Sequence, residues 1–177
     1  SGIMAGIVMK MDSIIKHYFD EYREKGQLPP IIEGKVKGFL PKNMPKTLKF
    51  EFENLLIITG KPDEYLELPS GEIVPFDHKT KSKKPEEAHP ANILQMHIYS
   101  YLLKMNKYKT ADKAYLAYYY PDDCDVHDGL DMHCKVIEVK TSFKRAEELL
   151  KKASEILSSD KIPRANKECI YCKYRGK

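Results

Sequence analysis

A chain of 177 residues, 42% hydrophobic and 32% charged, can bury a core of its own, which excludes a disordered tail or a fibre. Its 30 basic and 26 acidic side chains leave a net charge of +4, which permits a polyanionic partner without demanding one. Apolar runs such as Leu55–Thr59 fall far short of the ~18 residues that span a bilayer, and nothing at the start reads as a signal peptide. A cytoplasmic protein with no membrane partner is expected.

Residues 6–24 read as an amphipathic helix, with Ile7, Met11, Ile14, Ile15, Tyr18 and Tyr22 at helical spacing and Gly26 as its stop. Gln27–Lys46 contains four prolines and reads as an irregular arm. From Thr47 the period changes to two, and the strand is expected to continue through Leu55–Ile58 until Gly60-Lys61-Pro62 breaks it. Two more strands, Tyr65–Leu68 and Ile73–Lys79, flank the turn at Pro69-Ser70-Gly71. A second helix is expected over Glu86–Asn106, with Pro90 in or before its first turn. Ala114–Tyr120 and Lys135–Thr141 read as strands joined by the acidic loop Pro121–Asp131, and Phe143–Ser158 closes as a helix. The order helix, three strands, helix, two strands, helix predicts an α/β unit with a central mixed sheet flanked by helices. With no repeat or linker in view, residues 1–177 read as a single domain carrying a short cysteine-containing tail, 161–177.

The chemistry concentrates in Gly60-Lys61-Pro62-Asp63 and Pro75-Phe76-Asp77-His78-Lys79. Side chains alternate on a strand, so Asp77 and Lys79 share a face and His78 points the other way. Pairing across the hairpin can bring Asp63 beside Asp77. Two close carboxylates repel unless a cation lies between them, and hard oxygen ligands favour Mg²⁺ or Mn²⁺. A neighbouring ammonium can stabilise charge developing on a phosphate. Together these groups are equipment for phosphodiester hydrolysis, whereas Asp-x-Lys alone is more often a solvated ion pair.

Pro62-Asp63 followed by Asp77-x-Lys79 resembles the signature of the PD-(D/E)xK nucleases, a restriction-endonuclease-like fold. Gln95-Met96-His97-Ile98-Tyr99 resembles the Gln-x-x-x-Tyr motif of its RecB-like branch, which includes CRISPR-associated exonucleases. The resemblance implies a metal-dependent deoxyribonuclease, expected to be an exonuclease working in DNA repair, recombination or CRISPR-type processing. It makes Asp63, Asp77 and the His78 carbonyl metal ligands for Mg²⁺ or Mn²⁺ and Lys79 the catalytic lysine. Gln95 and Tyr99 would position the DNA strand or the lysine. A further ligand from the first helix is implied, for which Asp12 is preferred and His17 stays open; Glu51 and Glu53 are weaker candidates.

Cys169 and Cys172 resemble the C-terminal cysteines of the iron–sulfur members and could instead serve zinc. No cysteine precedes Cys124, a departure from that pattern that would suit a fragment or a shortened member. Cys124, His127, His133 and Cys134 form a second group, read as a solvated acidic hairpin rather than a zinc site. Lys81, Lys83 and Lys84 follow the site directly and are expected to contact DNA phosphates, single strands or ends above all. A non-catalytic nucleic-acid-binding module, or a subunit that needs a helicase or CRISPR-type partner, is the alternative.

Overall fold

The computed structural model describes residues 6–53, 56–123, 127, 129–164, 169 and 174. Its elements are α1 (Gly6–Lys25), β1 (Leu48–Phe52), β2 (Leu56–Gly60), β3 (Glu64–Glu67), β4 (Ile73–Thr80), α2 (Pro90–Met105), β5 (Lys113–Pro121), β6 (Met132–Lys140) and α3 (Phe143–Leu157). Strands β3, β4, β5 and β6 form one sheet in that order, parallel between β4 and β5 and antiparallel elsewhere. A parallel pair needs a long crossover, and α2 supplies it. This is the central mixed sheet flanked by helices that the element order predicts.

Two boundaries differ from the expectation. The strand expected to run from Thr47 to Ile58 is a hairpin: β1 pairs antiparallel with β2, Phe50 opposite Ile58, and stands apart from the main sheet. Apolar alternation runs through both arms without a glycine or proline between them. Glu53, at φ 51°, takes the left-handed conformation instead. Four strands, not three, therefore precede α2. That helix starts at Pro90 rather than Glu86, because a residue before proline is driven to extended backbone. His89 is extended (φ −64°, ψ 136°), and its Nδ1 accepts the Ala91 N–H at 3.2 Å as a cap.

Alternation along the sheet sends side chains into two layers. Phe76, Tyr115, Ala117 and Tyr119 pack toward α1, where they meet Ile15 and Phe19 together with Ile32 and Leu40 of the arm. Ala114, Leu116 and Tyr118 pack toward α2 around Met96. Both faces of β4 and β5 are thus covered, as their nearly continuous burial requires.

The arm (27–46) is irregular but fixed. Phe39 exchanges two backbone hydrogen bonds with Glu67 at the outer edge of β3, of 3.0 and 2.9 Å. Gly38, at φ 129°, permits this approach, since a Cβ there would lie 2.3 Å from the Glu67 carbonyl oxygen. Farther along, the Tyr65 hydroxyl donates to the Pro45 carbonyl at 2.9 Å. The end of the arm is thereby held beside the start of β3. No helix among the described residues is long and apolar enough to cross a membrane.

Candidate active site

In the β3–β4 register Glu64 lies opposite Phe76, so one further step places Asp63 opposite Asp77. Asp63 Oδ2 accepts the His78 backbone N–H at 3.1 Å, which ties the residue to β4. Asp77 is 2% exposed, and its Oδ2 accepts the Lys79 ammonium. The three residues singled out by the sequence therefore converge.

The turn carrying Asp63 is held from behind by α2. Gln95 Nε2 donates to the Tyr99 hydroxyl at 2.9 Å, and that hydroxyl donates to the Lys61 carbonyl at 3.1 Å. Burial and the nearby Asp77 carboxylate hold the phenol in its protonated, donating form. Gly60 lets the chain pass this close, because a Cβ would fall 2.5 Å from a Leu102 methyl and 3.0 Å from the Tyr99 ring. Among the described residues Gln95 and Tyr99 make no hydrogen bond to Lys79 or the carboxylates; they fix the main chain two residues before Asp63.

A residue the motif reading passed over also enters the site. Lys16 of α1 lies 3.1 Å from Asp63 Oδ1 and 2.8 Å from Asp12 Oδ2. Partial burial opposes its charge, yet hydrogen bonds to Asp12 and Asp63 raise its pKa overall. Its only signal in the sequence is the i, i+4 spacing from Asp12.

The two carboxylates titrate apart. For Asp63 burial works against ionisation, but the His78 N–H and Lys16 outweigh it and hold the pKa below the ordinary value. For Asp77 burial wins: despite Lys79, and with repulsion from Asp63 added, its pKa is pushed up to about 6. A buried pair in this condition invites a cation. Mg²⁺ is commonly held by one or two carboxylates, with water and substrate oxygens completing its shell, so Asp63 and Asp77 fit it chemically. No group of three or more His, Cys, Asp or Glu that could hold a metal converges among the described residues, here or elsewhere, so the pair is the whole of the protein's side-chain donor set at this site.

The remaining candidates fall outside this constellation. The His78 side chain is turned to the α1 face against Phe19, Phe76 and Tyr119, so only its main chain reaches the carboxylates. Burial drives its pKa down to about 4, and Nδ1 lies 3.1 Å from the Tyr119 hydroxyl. Asp12 is separated from the pair by Lys16. His17 is largely exposed and pairs with Glu21 at 3.2 Å. Glu51 and Glu53 are exposed on or beside the β1–β2 hairpin. Lys81, Lys83 and Lys84 are exposed after β4. In the acidic hairpin His133 Nε2 lies 2.9 Å from Asp122, whereas Cys134 is buried, its thiol pushed up to about 11 by that burial. Adjacent residues on opposite faces do not make one zinc site. Cys169 is half-buried and His127 exposed, while Cys124 and Cys172 lie outside the described residues.

The fold is a mixed sheet flanked by helices, with Asp63, Asp77 and Lys79 gathered where β3 meets β4. The chain belongs to the PD-(D/E)XK nuclease superfamily, whose sequence profile matches residues 12–176. Members of that superfamily are generally metal-dependent nucleases. Among solved structures, that of SSO0001 aligns with a TM-score of 0.46 at 19% identity, covering 76% of this chain and 58% of that one. The chain thus spans less than two thirds of that protein's length. None of the curated proteins compared with the chain matches it.

Proposed function

We propose that the chain hydrolyses phosphodiester bonds in DNA with one divalent cation, Mg²⁺ or Mn²⁺, held between Asp63 and Asp77. The observation carrying this reading is the convergence of two carboxylates of opposite pKa displacement with the Lys79 ammonium. The cation would supply Lewis acidity at a phosphoryl oxygen and acidify a bound water. Lys79, partly exposed, can turn from Asp77 to the phosphate and donate to charge developing on its oxygens. Tyr99, through Lys61, keeps Asp63 from swinging out of register with Asp77.

The resemblance to the RecB-like branch favours an exonuclease acting on strand ends in the cytoplasm, beside a helicase or CRISPR-type partner. A second reading, a binding module or a subunit completed by another chain, is favoured by one observation. Lys16 bonds Asp63 from the α1 side, where the resemblance places a further metal ligand.

Cleavage of end-labelled linear and circular DNA with Mg²⁺ or Mn²⁺, beside Lys79→Ala, tests the proposal. Metal-dependent cleavage that falls at least ~10²-fold in the variant is expected, with circles spared by an exonuclease. Binding without cleavage under either metal would select the second reading. Cleavage that survives Lys79→Ala would move the active site elsewhere.

A further inference from the structure

A cleft of about 310 Å³ opens on the α1 side of Asp63, between the second half of α1 and arm residues 41–46, floored by Lys61–Tyr65. Three acidic side chains line it, Asp20, Asp63 and Glu64, and each is already paired. Arg23 bonds both Asp20 and Glu64, and Lys16 bonds Asp63. Lys42, Lys46 and Lys61 line the same cleft, are exposed, and form no ion pair among the described residues. The lining therefore sets five basic side chains against three acidic ones, an excess of two positive charges, beside Asp63.

These lysines stand on fixed main chain. The arm is bridged to β3 at Phe39 and tied at Pro45 by Tyr65, and Lys61 is tied by Tyr99. The other basic surface, around Lys83 and Lys84, shares its depression with Asp122 and Asp123, which offset its charge. Walls on both sides and a small volume suit an extended strand. So small a cleft, walled by α1 and the arm, suits the backbone of one strand better than the bulk of a duplex.

We propose that this cleft binds the sugar-phosphate backbone of a single nucleic-acid strand, with Lys42, Lys46 and Lys61 contacting successive phosphates and leading the strand to Asp63. Its end point rests on the nuclease reading; the binding itself does not. Grooves that track single strands combine such charge with strong salt dependence.

Fluorescence anisotropy of a labelled oligo-dT strand in EDTA, over a salt series, separates the two. The triple variant Lys42→Ala, Lys46→Ala, Lys61→Ala is expected to bind about tenfold more weakly. Its slope of log affinity against log salt should flatten by about 2, at ~0.7 per phosphate neutralised on a single strand. Lys81→Ala, Lys83→Ala, Lys84→Ala should change binding less, and a duplex of equal length should bind wild type more weakly than the strand. All six lysines are exposed, so both variants should fold, which thermal melting checks. Wild-type affinity in the cleft variant, a larger loss in the other triple, or tighter binding of duplex than of strand overturns the inference. If the cleft variant loses binding while wild type cleaves nothing, the nuclease reading fails and the cleft stands. If Lys79→Ala loses cleavage while the cleft variant binds normally, the cleft alone fails.

Discussion

The two faces of β4 carry adjacent residues, Asp77 and His78, that are almost equally buried and serve opposite ends. On the α2 face Asp77 meets Lys79 and Asp63 at the mouth of the site. On the α1 face His78 lies among Phe19, Phe76 and Tyr119 in the core. Burial disfavours the charged form of each, which raises the carboxyl and lowers the imidazole. One strand therefore keeps a reactive charge and a structural aromatic one residue apart, with alternation as the insulator.

Breaking the core face should give the largest loss of stability. Phe19 is fully buried beneath His78, its ring 4.5 Å away, and Phe19→Ala should cost about 3–5 kcal/mol in denaturant unfolding. A smaller loss would mean that α1 collapses into the gap.

The titrations sharpen the comparison further. His78, near 4 when folded against an ordinary 6.5, contributes stability fully above pH 6.5 and loses it as pH falls toward 4. Asp77, near 6 when folded against an ordinary 3.8, contributes stability fully below 3.8 and loses it as pH rises through 6. At pH 5 each effect is about 1–2 kcal/mol relative to pH 7.5, with opposite sign, so metal-free wild type should change little. His78→Phe should then gain stability on acidification, and Asp77→Asn should lose it. Melting curves in EDTA at the two pH values decide this. Asp77→Asn should also be about 1–2 kcal/mol more stable than wild type at pH 8 without metal, because no ionised carboxylate is buried. The same variant should lose any stabilisation by Mn²⁺.

The smallest effect concerns the turn. Tyr99→Phe keeps the ring against Gly60 but drops the hydrogen bond to Lys61, a loss of about 1 kcal/mol. Cleavage should fall about fivefold by the same energy, with strand binding in EDTA unchanged. A change confined to binding would make Tyr99 a substrate contact instead.

What could be read from the residues was local. Asp63, Asp77 and Lys79 were legible because a short hairpin and strand alternation decide who faces whom. The reversal between β1 and β2 was hidden, since Glu53 makes its turn without a glycine or proline. Lys16 was missed because its meeting with Asp63 depends on how α1 docks on the sheet, which helical spacing within α1 does not fix. Likewise, nothing near Arg23 in the chain announces its buried partner Glu64. The prolines of the arm announced irregular backbone but not the Phe39–Glu67 bridge that gives it a fixed path.

That bridge also bears on self-association. β3 is an edge strand of four residues, and a bare edge offers unpaired N–H and C=O groups to any passing extended chain. Phe39 occupies part of that edge, and the twist at Gly38 carries the arm away before a second strand can form. One glycine thus helps the sheet to end where it does, and guards the chain against pairing edge to edge with its own copies.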